Sequence, residues 1–371
     1  VNMGWSLHHK TGLIHSSPQQ TYRGYTLVAT NRGGYHANLI DMEGRICHRW
    51  YSEEGICYPY LLPNGNLLLR TSPPQVEGEE RFGGSSASIL ELDWDGNVVW
   101  SFRDSMLHHD FQRLPNGNTL VLLWVPIPDE LKNQVVGGYE SDGDSLPMLG
   151  DLVQEITPDG AVVYEWKSWE HLNEEEDVIC FLERRRERTH QNALNLTPDG
   201  NLLVSFRQTS TVGIVDKASG DFTWKWGPGE VNHQHHPTYL DNGRILMFDN
   251  GCHRRGASRS RILEVDPATN EIAWEYQGTP DISFYSYNIS SAERQPNGNT
   301  LICEGAPGRI FEVTPDKVIV WEYINPYFGD IGQAGSVNGV FRAHRYGPDH
   351  PGLQGKELDP ARYNNVNQLY A

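Results

Sequence analysis

Short runs in which apolar and polar residues alternate recur along the chain, each ended by a turn rich in Gly, Asp or Asn. The clearest is Ile89-Leu90-Glu91-Leu92-Asp93, followed by the turn Asp95-Gly96-Asn97 and then Val98-Val99-Trp100. A period of two on both sides of a Gly-bearing turn predicts an antiparallel strand pair, not a helix. Equivalent pairs stand at 153–156 with 162–166, 212–216 with 222–226, 262–266 with 272–276 and 310–314 with 318–323. One more, 39–44 with 46–50, precedes them all. Most of the second strands end in Trp.

A second regularity precedes five of these pairs, a turn cassette that reads Leu62-Pro63-Asn64-Gly65-Asn66-Leu67 in its first copy. The others are Leu114-Pro115-Asn116-Gly117-Asn118, Thr197-Pro198-Asp199-Gly200-Asn201, Leu240-Asp241-Asn242-Gly243-Arg244 and Gln295-Pro296-Asn297-Gly298-Asn299. Each joins two further strands, so every unit carries four. Self-similarity at roughly 40 to 60 residues marks a repeat architecture. The expected fold is all-β: a six-bladed β-propeller with four-stranded antiparallel blades around a central channel. The first unit lacks an innermost strand, since only 25–29 precedes it, whereas 340–346 is left over at the C-terminal end. Pairing the two closes the ring and removes an exposed edge. The domain reading is therefore an N-terminal extension (1–24), one propeller (25–346) and a C-terminal tail (347–371). Tandem sandwiches or a β-helix fit four strands per unit less well.

Composition agrees, with 11 Trp, 17 Tyr and 37 Gly among 371 residues. A formal charge of -18 argues against nucleic acid as a partner. No apolar run is long enough for a membrane span, and residues 1–17 are polar and His-rich, unlike a signal peptide. Five cysteines, an odd number without a C-x-x-C pair, favour reduced thiols and a cytoplasmic setting. A leader removed before Val1 would instead imply the periplasm or secretion. Oligomeric state leaves no mark in the sequence.

The cassettes serve as a ruler for the chemistry. The connections 71–88, 125–150, 167–189, 251–260, 277–286 and 325–336 are long and should emerge on one face, where binding is expected. Two of them, 125–150 and 167–189, suit a lid. Counting back from each cassette to the start of the innermost strand gives Cys57 and Tyr58, His108 and His109, His190 with Asn192, His235 and His236, and Ser290, with His344 on the closing strand. Four of six units thus place His at the channel mouth, which a chance scatter of 15 histidines does not explain. Converging imidazoles suit nucleophile, acid/base or metal-ligand roles. Arg207 ends the strand after His190, and Arg254 follows 248–251 in the next unit; an Arg fork recognises oxyanions.

In combination, His108-His109-Asp110-Phe111, Thr189-His190-Gln191-Asn192 with Ser205-Phe206-Arg207, and Gln234-His235 with Phe248-Asp249-Asn250-Gly251 resemble the arylsulfate sulfotransferase-like propellers (arylsulfotransferases) over nearly the whole chain. That resemblance implies ping-pong transfer of a sulfuryl group from a phenolic sulfate to a phenol. His235 matches the attacking histidine, His109 and His190 its proton-shuttling partners, and Asn192 and Arg207 the rest of the anion clamp. It implies a small aromatic or anionic substrate and no required cofactor. His236, His344, Arg254, Tyr58 and Tyr287 are further candidates for lining the substrate site.

Two other readings stay open. His109, His190, His235 and His344 from separate blades suit a divalent transition metal serving a lyase, hydrolase or oxygenase, with Tyr58 or Tyr287 as acid/base. A non-catalytic interaction scaffold would explain the repeats but not the polar channel mouth.

Overall fold

The cassette turns are built by their own side chains. In the first, the Gly65 N–H donates to the Leu62 carbonyl at 2.9 Å, the Leu62 N–H to the Asn66 carbonyl at 2.8 Å, and the Asn66 N–H to the Asn64 side chain at 2.9 Å. Gly65 closes the turn at φ 89°, in the left-handed region that admits Gly readily. The last Asn of the cassette then ties the turn to its blade. Asn66 donates to Glu91 at 2.7 Å, Asn118 to Glu155 at 2.6 Å and Asn299 to Glu312 at 2.6 Å, each Glu standing on the third strand of the same sheet.

These turns organise a computed structural model that describes residues 10–73, 82–140, 146–331 and 335–369. Six antiparallel sheets of four blade strands each make the protein a six-bladed β-propeller. The chain divides into two compact units: Val1–Gln75, Ala87–Arg103 and Ser286–Ala371 form the first, Val76–Ser86 and Asp104–Tyr285 the second.

The first unit holds blades one, two and six. Strand Tyr25–Ala29 of the first blade pairs with His344–Tyr346 on one side and His36–Ile40 on the other. The C-terminal strand therefore completes this blade, over a shorter span than 340–346. Val340 still bridges Thr30, just past that strand, while its N–H donates to Gly305 at 2.9 Å, and Phe341 accepts from Ser290 at 3.0 Å. Gly12–Ser16 adds a fifth strand to the sixth blade, pairing with Ile319–Ile324. Residues beyond 350 return to the first two blades: Leu353 is buried in one core cluster with Leu61 and Leu67 of the second, and Asn367 accepts from the Ile46 N–H of the first at 2.8 Å.

Blades three, four and five form the second unit, with innermost strands Leu107–Arg113, Gln191–Leu196 and His235–Tyr239. In both units the recurring Trp joins one blade to the next. The indole N–H of Trp50 donates to the Asp93 carbonyl at 3.1 Å, that of Trp166 to Gly220 at 2.9 Å and that of Trp321 to Met42 at 2.9 Å. The acceptor each time lies in the turn between the third and fourth strands of the following blade. Between blades the cores are apolar; Leu194, Leu202 and Val204 of blade four share one cluster with Leu120, Leu122 and Trp166 of blade three. The connections after Thr119–Pro126 and Val162–Lys167 pair with each other, Gly137–Tyr139 running parallel to Ile179–Arg184.

Candidate active site

Each innermost strand of the second unit carries an irregularity where its polar residues sit. Pairing registers shift between Val121 and Leu123 opposite His108 to Asp110, between Gln191 and Ala193 at Asn192, and between His235 and Thr238 at His236. Such bulges re-aim side chains that a regular ladder would bury within the sheet. His109, His190 and His236 also adopt φ of 45°, 51° and 52°, and nearby His233 and His253 take 57° and 62°. Positive φ costs a non-Gly residue about 1 kcal/mol or more, and its concentration on five histidines marks a functional region. Adjacent strands are laced together here: the Leu194 N–H donates to Asp110 at 2.8 Å, and the Asn192 amide donates to the Gln234 carbonyl at 2.7 Å.

The imidazoles form a connected set. The rings of His109 and His190 meet edge to face, with centroids 4.4 Å apart. His109 shares a hydrogen bond between Nδ1 atoms with His108 at 2.9 Å, and His108 stacks on Trp124 at 4.2 Å. Nε2 of His108 lies 3.4 Å from the Asp151 carboxylate. Burial pushes that carboxyl up to about 6, opposed by hydrogen bonds from the Thr189 hydroxyl and the Gln191 N–H. At the far end His190 donates from Nδ1 to Glu187 at 2.8 Å. Asp151, His108, His109, His190 and Glu187 are thus neighbours in series, through one short carboxylate contact, one imidazole hydrogen bond, one ring contact and one ion pair.

His235 has a defined tautomer. Its Nδ1 lies 3.1 Å from the His233 carbonyl and 2.8 Å from Asn250 Oδ1. A carbonyl can only accept, so Nδ1 carries a proton. Arg207 is held by Glu183, Nη1 to Oε1, at 2.6 Å. His233 is fully buried; desolvation, then Arg207 and the neighbouring imidazoles of His253, His235 and His190, push it down to about 2, so it is neutral.

The structure therefore brings His109, His190, Asn192, Arg207, His235 and His236 into one unit, His236 buried beside His235 on the same strand. Arg254 is in that unit too, but its guanidinium is engaged by Asp249, which also binds Arg261. Tyr58, Tyr287 and His344 belong to the first unit. There His344 links Tyr58 (3.0 Å from Nε2) to Glu293 (2.9 Å from Nδ1), while Tyr287 is exposed. The four-histidine metal set thus draws on both units. Within the second unit, among described residues, the ligand atoms that converge to within 4.8 Å are those of Cys180, His233 and His253. Sequence reasoning missed Asp151, Glu183, Glu187, His233 and Asn250. Glu183 and Glu187 lie in a long connection without motif, and His233 stands just ahead of the counted window. Asn250 was visible inside its motif without a role.

The sequence profile described as Arylsulfotransferase (ASST) matches residues 59–326. The chain belongs to the arylsulfotransferase family. That match spans all three strands carrying the histidine set, so arylsulfotransferase-like enzymology is the family-level assignment. Among solved structures, a protein of unknown function from Bacteroides caccae has a TM-score of 0.56 at 14% identity, covering 87% of this chain and 98% of that one. A streptogramin B lyase has a TM-score of 0.48 at 14% identity, covering 93% and 96%. A virginiamycin B lyase from Staphylococcus aureus has 0.45 at 14%, covering 86% and 90%. At these identities the likeness concerns fold alone. No curated protein matches the chain. Among the described residues no helix is long and apolar enough to cross a membrane.

Proposed function

We propose that the chain transfers a sulfuryl group from a phenolic sulfate to a phenolic acceptor, with His235 as the transient carrier. The observation that carries this reading is the His235 Nδ1–H held by two carbonyl oxygens, which leaves Nε2 as the ring's nucleophilic atom in the proposed reaction. In the first half-reaction a bond forms between His235 Nε2 and sulfur while the bond from sulfur to the phenolic oxygen breaks. The departing phenolate takes a proton from the His109 and His190 pair. The sulfonated imidazole carries positive charge, which the His233 carbonyl and Asn250 oxygen stabilise through the same Nδ1–H. In the second half the acceptor oxygen attacks sulfur, the nitrogen–sulfur bond breaks, and the acceptor's proton returns to the histidine pair. Arg207, positioned by Glu183, and Asn192 supply donors for charge on the sulfuryl oxygens. The reacting atoms all come from substrate and side chains.

Incubation with a nitrophenyl sulfate should release nitrophenol in a burst and leave a sulfuryl group on His235. His235→Asn should lower kcat by roughly 10³-fold and abolish the adduct. Turnover undiminished in that variant, or a label on another residue, would reject the carrier role.

A further inference from the structure

A second assembly of ligand atoms lies beside the histidine set without being part of it. Cys180 comes from strand Ile179–Arg184, His233 from the segment before His235–Tyr239, and His253 from the connection after Ile245–Asp249. One ligand atom from each lies within 4.8 Å of the others, and Cys180 Sγ is 3.6 Å from His253 Nδ1. A tetrahedral zinc ion, with sulfur at about 2.3 Å and nitrogen at about 2.0 Å, sets sulfur and nitrogen about 3.5 Å apart. Glu183 Oε1 lies 3.7 Å from Nδ1 of both histidines.

Independent support comes from His233. Its side chain is completely buried, and among the described residues neither ring nitrogen finds a hydrogen-bond partner. A buried imidazole ordinarily satisfies at least one nitrogen. Here the ring instead faces His253 edge on, with centroids 4.7 Å apart, beside a thiol and a carboxylate.

We propose that Cys180, His233 and His253 bind a zinc-class divalent ion, with the Glu183 carboxylate offsetting its charge. Thiolate with imidazole is a borderline-soft donor set that favours zinc over magnesium or calcium. The ion would fasten the Ile179–Arg184 strand and the 251–260 connection to His233. His233 and Glu183 also serve the proposed transfer, through the His233 carbonyl and the Glu183 link to Arg207, but the ion would take the His233 ring, so the site stands whether or not His235 carries sulfate.

The whole chain, stripped with chelator and dialysed, is titrated with Zn²⁺ by calorimetry and with Co²⁺ by absorption. One equivalent should bind, and cobalt should give a thiolate-to-metal charge-transfer band with strong tetrahedral d–d absorption. Cys180→Ser should abolish the charge-transfer band, and His253→Gln should weaken zinc binding by at least about tenfold. Both positions reach solvent, so apo-protein melting of the two variants checks the fold separately. No uptake at micromolar zinc, or binding unchanged in both variants, would overturn the proposal.

Discussion

Gly84→Ala tests the placement of His109 by steric means alone. Gly84 sits at φ 87°, its carbonyl accepts the His109 N–H at 2.8 Å, and a Cβ added there would fall inside the His109 imidazole. Two costs follow. Holding Ala at positive φ costs about 1–2 kcal/mol, which for a chain of this length lowers melting by only ~1–3 °C. The ring, however, must move by more than an ångström, breaking its 2.9 Å bond to His108 and its 4.4 Å contact with His190. Misplacement on that scale costs on the order of 10²-fold in turnover. Gly83→Ala is the matched control, because its Cβ would meet only the His190 ring at 3.9 Å, an ordinary contact. Nitrophenol release and thermal melting, measured on both variants, should show Gly84→Ala nearly inactive but folded and Gly83→Ala close to the parent. Equal activity in the two, or equal loss, would refute the claim that His109 acts from the position described.

Three further outcomes are expected. Trp166→Phe removes the indole donor to Gly220 and should cost about 1–2 kcal/mol in denaturant stability with kcat unchanged; an unshifted urea midpoint would show the blade-to-blade bond to be idle. Asn250→Ala removes one of two oxygens on His235 Nδ1, so kcat should fall roughly tenfold while the His233 carbonyl preserves the tautomer; a loss as large as that of His235→Asn would contradict the sharing. Acid should destabilise the fold below about pH 6.5: burial depresses His48 to about 4, so the unfolded chain takes its proton first and stability drops as pH falls from 6.5 to 4, by about 3 kcal/mol for this residue. His36 and His233 act in the same direction, against the opposite trend of Asp151 between about 4 and 6, so a urea midpoint that rises on acidification would refute the balance.

What could be read from the sequence is what the repeats enforce locally. Pro-Asn-Gly-Asn must turn the chain because Gly65 and its counterparts need positive φ, and the Trp recurs because its indole must reach the next blade. Counting back from the cassettes puts His109, His190 and His235 at the starts of innermost strands. The partners that tune them are not found that way. Glu187 and Glu183 act from an arginine-rich connection that reads as a charged surface, and Asp151 from an otherwise ordinary third strand; both roles depend on contacts that no periodicity encodes. His344 comes instead from the closing strand, and its nitrogens are engaged by Tyr58 and Glu293. Strand Gly12–Ser16 was missed because Gly-Leu-Ile-His-Ser is too short and too polar to alternate visibly.

The shared first blade has a temporal consequence. Strand Tyr25–Ala29 is synthesised well before its inner neighbour His344–Tyr346. Until that neighbour emerges, one edge of the sheet has unpaired N–H and C=O groups, an invitation to pair with a neighbouring nascent chain. The first blade is therefore completed long after its other strands are made, and that interval is when chaperone protection matters most.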